Sequence, residues 1–225
     1  RKYLLKNAKG CLVHSKPIAS ELNKKYSIGA TSFNNTDART NEFCQPKNKF
    51  GIGPLKLLFV GRNTSRKKIK RLIELAVRRN DVSVRLVGPG MSNLLKVCGD
   101  YRKNLQVFER VKRCELNEHF KWADIVANPG HVGLLCQTAA RYGRGIVIDK
   151  NSVHAPEVCL AKEAMQPFID FGDDFEVDAF IDRVQNNPYL LAHWGGYLQN
   201  KALEEYTVEH MVEVHLKAFE SIAHA

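Results

Sequence analysis

The sequence has no long apolar run. Nothing in its 225 residues approaches the roughly 18 apolar positions that a membrane-spanning helix needs, so no helical span is expected. It is short of acid, with 24 Asp and Glu against 34 Lys and Arg. The net charge of +10 points to a polyanionic partner: nucleic acid, an anionic membrane surface or a phosphate-bearing small molecule. No CxxC and no His/Cys cluster occurs. The six cysteines (Cys11, Cys44, Cys98, Cys114, Cys136, Cys159) lie 16 to 54 residues apart. That spacing argues against a zinc site and predicts reduced, mostly buried thiols in a cytosolic protein. GxGxxG is missing, since GPGMSN lacks the third glycine, and so are GxxxxGKS/T, HExxH and GxSxG. Their absence removes the usual dinucleotide, P-loop, zincin and hydrolase readings. The opening RKYLLKNAKG has no initiator Met, and the chain is expected to begin partway into a longer protein.

What is present is an ordinary globular composition, 44% apolar and 26% charged, with a regular order of elements. KGCLVHS (9–15) reads as a strand and PIASELNKKY as a helix opened by Pro17. The stretch 31–54 is polar, turn-rich and without period, which predicts a linker. Beyond it, LKLLFVG, SVRLVG, NLQVFERV, DIVANPG and GIVID read as buried strands. KKIKRLIELAVRRN, ELNEHFKWA and GLLCQTAARYG between them read as helices, the first with Ile69, Leu72, Ile73 and Ala76 on one face. The remainder, from FEVDAFIDRV onward, reads as helical. Strands alternating with helices predict an α/β fold, a Rossmann-like parallel sheet with helices on both faces.

In such sheets ligands bind at the carboxyl ends of the strands, near the point where strand order reverses. The loops to inspect are 61–68, 88–92, 109–113, 128–133 and 149–157. The first, GRNTSRKK, is strongly basic; the fourth brings Gly130 and Gly133 to a helix start, where unpaired N–H groups favour an anion. Arg62 and Lys67 are placed to close on the same phosphates, one as a planar fork and one as a point charge. Lys68, Lys70 and Arg71 read instead as solvated helix-face charges. Gly133 also fits plain helix–strand packing, and Gly143 a helix C-cap. His131 and His154 read equally as surface histidines or ligand contacts. The basic stripe has no interleaved aromatic residues, and no nucleic-acid partner is expected.

FVGRNTSRKKIKRLIELA, VRLVGPG, ADIVANPGHVGLLCQTAARYGRGIVI and HAPE together resemble the C-terminal domain of family-4 glycosyltransferases of the GT-B fold, in the variant reading PGxVGL. KNAKGCLVHSKPIASELNKKY resembles the last strand–helix unit of that family's N-terminal domain, and EEYTVEHMVEVHLKAFESI its closing helices. The resemblance implies three parts: 1–33 as the end of an otherwise absent N-terminal domain, 34–54 as linker, and 55–225 as a nucleotide-sugar donor domain. It further implies a sugar transferred with retention of configuration to a glycan or lipid-linked acceptor, with no cofactor and no obligatory metal. Arg62 and Lys67 would hold the donor diphosphate. The N–H groups of Gly133 and Leu134 would cap it, and the backbone at Arg110 and Val111 would lie near the base. Gly130, His131 and Thr138 fall on the rest of the donor segment.

Two departures stand out. The family's paired glutamates fall on Gly130 and Thr138, neither of which is acidic. The resemblance also implies that most of the acceptor-binding domain lies outside the sequence. A non-catalytic GT-B-like binding or scaffold module is therefore the alternative, and a basic nucleic-acid-binding domain using the stripe from Arg62 to Arg71 a more distant one. The implied setting is polysaccharide or glycolipid synthesis in the cytoplasm, with peripheral contact to an anionic membrane.

Overall fold

A computed structural model describes residues 3, 5, 7–51, 53–95 and 104–223. Cys98 and the rest of 96–103 therefore lie outside the described residues. The chain opens with a small unit: β1 (Cys11–Val13), α1 (Lys16–Tyr26) and β2 (Ala30–Ser32), the two strands parallel. Pro17 fits the first turn of α1 because the N–H it lacks would have had no intrahelical partner. Ser27, left-handed at φ 53°, ends the helix, and its N–H bonds to the Asn23 carbonyl.

The stretch that follows, poor in pattern, forms little regular structure beyond a 3-10 turn at Thr40–Glu42. It is nonetheless bonded to the body along its length. Cys44 N–H donates to the Arg141 carbonyl (2.8 Å), Val208 N–H donates to the Ala38 carbonyl (2.9 Å), and Lys47 pairs with the buried Asp124 (2.7 Å).

The body is a six-stranded sheet of β3 (Leu55–Val60), β4 (Val82–Val87), β5 (Leu105–Phe108), β6 (Ile125–Asn128), β7 (Ile146–Asp149) and β8 (Phe168–Ile169). Its order is β5-β4-β3-β6-β7-β8, with every pairing parallel. After β5 the chain crosses back to lay β6 beside β3, so the order reverses between those two strands. Helices α2 (Lys70–Arg78), α3 (Ser92–Leu95), α4 (Leu116–Trp122), α5 (Leu135–Arg141), α6 (Val158–Glu163) and α7 (Asp174–Asn186) intervene or follow. Helices α8 (Tyr189–Glu205) and α9 (Val208–Ala223) close the chain. Strand β3 shows why both faces are covered. Leu57 and Phe59 enter one core with Leu72 and Leu75 of α2, while Leu58 enters the other with Cys136 of α5 and Leu198 of α8.

Several expectations need correction. Helix α2 starts at Lys70, because Ser65–Lys67 is a 3-10 turn closed by Lys68 at φ 50°. Strand β5 stops at Phe108, and Glu109 to Val111 are loop. Helix α6 and the two-residue β8 were not anticipated, being too short to carry a period. The cysteines are not mostly buried: of the five described, Cys136 alone is buried and Cys114 is exposed.

Candidate functional site

The loops after β3 and β6 meet over the strand-order reversal, and glycine permits the approach. A Cβ on Gly130 would lie 2.3 Å from the Arg66 carbonyl oxygen, so no side chain fits there. Beside it, His131 N–H donates to that same Arg66 oxygen (2.9 Å), and Lys67 Nζ donates to the His131 carbonyl (2.6 Å). Lys67 is half-buried. Burial first, and then the Arg66 charge, pull its ammonium below the usual lysine range. The Lys67 stem passes Gly61, its Cε 3.9 Å from where a Cβ would stand. Lys67, His131, Gly130 and Gly61 thus share one corner.

A second glycine contact joins the loops after β3 and β4. A Cβ on Gly88 would fall 2.0 Å from the Gly61 carbonyl oxygen, and its φ of 143° suits glycine alone. The Glu109 carboxylate fastens this loop by accepting from Gly90 N–H (3.1 Å) and Ser92 N–H (2.6 Å). The Ser92 hydroxyl first, and then those two N–H donors, hold Glu109 below the usual carboxylate range. Between these loops lies a hollow of about 300 Å³, lined among others by Gly61, Arg62, Gly88, Arg110, Val111 and Leu116. Arg62 is exposed and, among the described residues, makes no ion pair.

Lys68 is not a solvated helix-face charge. Its Nζ lies 2.9 Å from Oδ2 of Asp149, whose side chain is 1% exposed. Ser152 Oγ (2.5 Å) and Phe171 N–H (3.3 Å) also donate to that carboxylate. Burial alone would raise Asp149; the Ser152, Lys68 and Phe171 donors outweigh it and leave the group below the usual range. Lys70 and Arg71 are exposed as expected, Arg71 reaching Glu74 (3.2 Å). Gly143 closes α5 in the left-handed region at φ 59°.

Gly133 and Leu134 stand at the start of α5, two and three residues from His131. A Cβ on Gly133 would touch only Ala155, at 3.8 Å. Thr138 Oγ1 donates to the Leu134 carbonyl (3.1 Å), so its hydroxyl proton is committed to its own helix. The structure therefore brings Lys67, Gly130 and His131 together, with Gly133 two residues further along the same loop. Arg62, Arg110 and Val111 line the adjoining hollow. Sequence reasoning missed Asp149, Glu109 and the joining role of His154. An acid closing an apolar strand, as in GIVID, was the available signal for the first. No group of three or more His, Cys, Asp or Glu suited to a metal occurs among the described residues.

The fold is a Rossmann-like α/β domain, a parallel six-stranded sheet with helices on both faces and a helical C-terminal end, as in structures of the GT-B fold. Solved structures of similar shape are a TarM variant from S. aureus in complex with fondaparinux, alpha-GlcNAc-glycerol and UDP (TM-score 0.72, 18% identity, 97% of this chain and 46% of that one); Anabaena HepE in complex with UDP and glucose (0.68, 13%, 95% and 63%); and a glycosyltransferase from Rickettsia africae (0.73, 11%, 99% and 66%). The chain thus spans about half to two thirds of the length of these neighbours. No family model matches the sequence, and no curated protein matches it.

Proposed function

We propose that this chain is the donor-binding half of a retaining glycosyltransferase of family-4 type and hexosyltransferase class. The whole protein moves a sugar from a nucleotide-diphospho-sugar to a glycan or lipid-linked acceptor in polysaccharide or glycolipid synthesis. It works without an obligatory metal, in the cytoplasm, drawn to an anionic membrane by its basic charge. Arg62 and Lys67 neutralise the charge that develops on the departing diphosphate, and the N–H groups of Gly133 and Leu134 face its other side. Arg110 and Val111 border the base, Gly130 and His131 the sugar, and Thr138 the ribose. A cleft enzyme needs both walls to orient reactants and exclude water, so the chain alone binds donor weakly and transfers little.

The observation that carries this reading is the close contact of Gly130 with Arg66. It sets a half-buried ammonium, Lys67, on the His131 carbonyl in the loop that leads into α5, with Arg62, which makes no ion pair among the described residues, at the next hollow. Titration with UDP, GDP, ADP and TDP without magnesium tests it. One diphosphate is expected to bind near or below millimolar, and Arg62→Ala to weaken it about tenfold, as loss of a charge-assisted phosphate contact of ~1.5–3 kcal/mol requires. Absence of binding by all four refutes a donor site complete in this chain.

A second reading, a non-catalytic GT-B-like scaffold module, is favoured by Thr138. Its hydroxyl bonds its own helix, and Gly130 offers no carboxylate. Nucleotide binding lost in Arg62→Ala argues against it.

A further inference from the structure

His154, in the loop between β7 and α6, has both ring nitrogens engaged with backbone. Val132 N–H donates to Nδ1 (3.3 Å), and Nε2 lies 2.8 Å from the Asp149 carbonyl oxygen. An amide can only donate and a carbonyl can only accept, so the pattern requires the neutral ring with its proton on Nε2. Val132 is fully buried, and its own carbonyl accepts from Ala155 N–H (2.9 Å). The preceding residue, His131, is the one bonded to Arg66 and Lys67.

We propose that His154 is a latch: its neutral imidazole holds the β6–α5 loop in the shape that completes the Lys67 corner, and protonation in mild acid releases that loop. A second proton would sit on Nδ1 and face the Val132 N–H. Two donors cannot share that contact, and the buried amide would lose its partner. The displacement then reaches Lys67 through a single residue, because the His131 carbonyl is where its ammonium rests. The functional consequence rests on the donor-site reading above; the latch itself does not.

The surroundings favour the neutral ring. Burial lowers the basicity of His154, the bond to the Asp149 carbonyl partly opposes this, and the nearby His131 adds to the lowering. The groups facing the ring are Asp149 on β7, His131 in the β6–α5 loop and Lys162 on α6, with the Phe168 ring of β8 edge-on at 6.4 Å. The Asp149 carboxylate is already taken by Lys68, Ser152 and Phe171, which leaves its carbonyl as the contact to the ring.

NMR of the imidazole nitrogens and backbone amides tests the latch without any ligand. The ring is expected as the Nε2–H tautomer, titrating below the ordinary histidine value of about 6.5, with the Val132 and Gly133 amides moving at the same midpoint. His154→Gln, whose carboxamide supplies an acceptor and a donor but no titration, is expected to still those two amides. His131→Gln removes the neighbouring imidazole and is expected to leave their movement intact. An Nδ1–H tautomer, or amides that follow His131 instead, overturns the proposal.

UDP-glucose, whose diphosphate diester stays ionised between about pH 5 and 8, then reads the consequence. Its affinity for the unmodified chain is expected to fall roughly three- to tenfold as the pH is lowered across that range, as loss of one buried hydrogen bond implies, and to stay level in His154→Gln. An equal fall in both chains overturns the latch. Failure of every chain to bind UDP-glucose counts against this donor alone, and the NMR titration still decides the latch.

Discussion

Gly88 and Gly130 show at the level of single atoms how the crevice is made. Each sits where any side chain would enter a neighbouring backbone, at 2.0 Å from the Gly61 oxygen and 2.3 Å from the Arg66 oxygen. Gly130→Ala must push the β3–α2 loop away. It is expected to cost roughly 1–3 kcal/mol of stability by overpacking, measured by urea unfolding. Arg62 differs, because it is exposed: Arg62→Ala should leave unfolding unchanged while weakening nucleotide binding. Cys136 is a third case. Burial first, then the Glu157 charge, push its thiol up to about 12, so it should resist alkylation in the native chain while exposed Cys114 reacts. Peptide mapping after iodoacetamide treatment checks that order, and early loss of native Cys136 would contradict it.

Among the elements, the loops at the carboxyl edge of the sheet are tied to one another rather than left to solvent. Lys68 is the clearest link, joining the loop after β3 to the end of β7 through Asp149. It holds this pair from the left-handed region, an uncommon place for a residue with a Cβ. Lys68→Met leaves a buried carboxylate without its counter-charge and is expected to destabilise by roughly 1.5–3 kcal/mol. A drop below about 0.5 kcal/mol in chemical denaturation, the size of an ordinary surface substitution, would show the pair to be dispensable. The segment from Ala38 to Lys47 acts similarly at the back of the sheet, with bonds to Arg141, Gln199, Val208 and Asp124. A polar stretch of that composition looks like a free linker until its backbone groups are followed to their partners.

Across the whole molecule, the titrating groups set how stability depends on pH. Burial lowers both His119 and His154, with the Arg85 charge adding to the first and His131 to the second. Each binds fewer protons folded than unfolded between its lowered value and about 6.5. Their contribution is therefore complete above about 6.5 and is lost as pH falls below it. Lower still, Asp81, held by Arg79, and Glu205, held by Lys16 and Lys201, have both moved down to about 2. Their contribution is present above the ordinary carboxylate value and fades as pH falls towards about 2. Glu205 also carries the charge link from α1 to α8, through Lys16 at 2.8 Å. Thermal unfolding at a series of pH values should show stability falling in these two stages. A flat profile between pH 7 and 5 would contradict the histidine assignment.

The sequence by itself determined the class of fold, because apolar strands alternating with amphipathic helices can be buried only as a parallel sheet covered on both faces. It also located the basic loop and the glycine loops, since Arg62, Lys67, Gly88 and Gly130 lie at strand ends whatever the exact register. It missed α6 and β8, which are shorter than one clear hydrophobic period, and it placed Lys68 among solvated charges. Only the tertiary structure decided that Lys67 meets His131 across 64 positions, that Lys68 meets Asp149 across 81, and that His154 joins two loops through both of its nitrogens. Periodicity records which face of an element is buried. It carries no information about which polar group on a distant loop lies within hydrogen-bonding reach, and that depends on the order in which the strands are laid side by side.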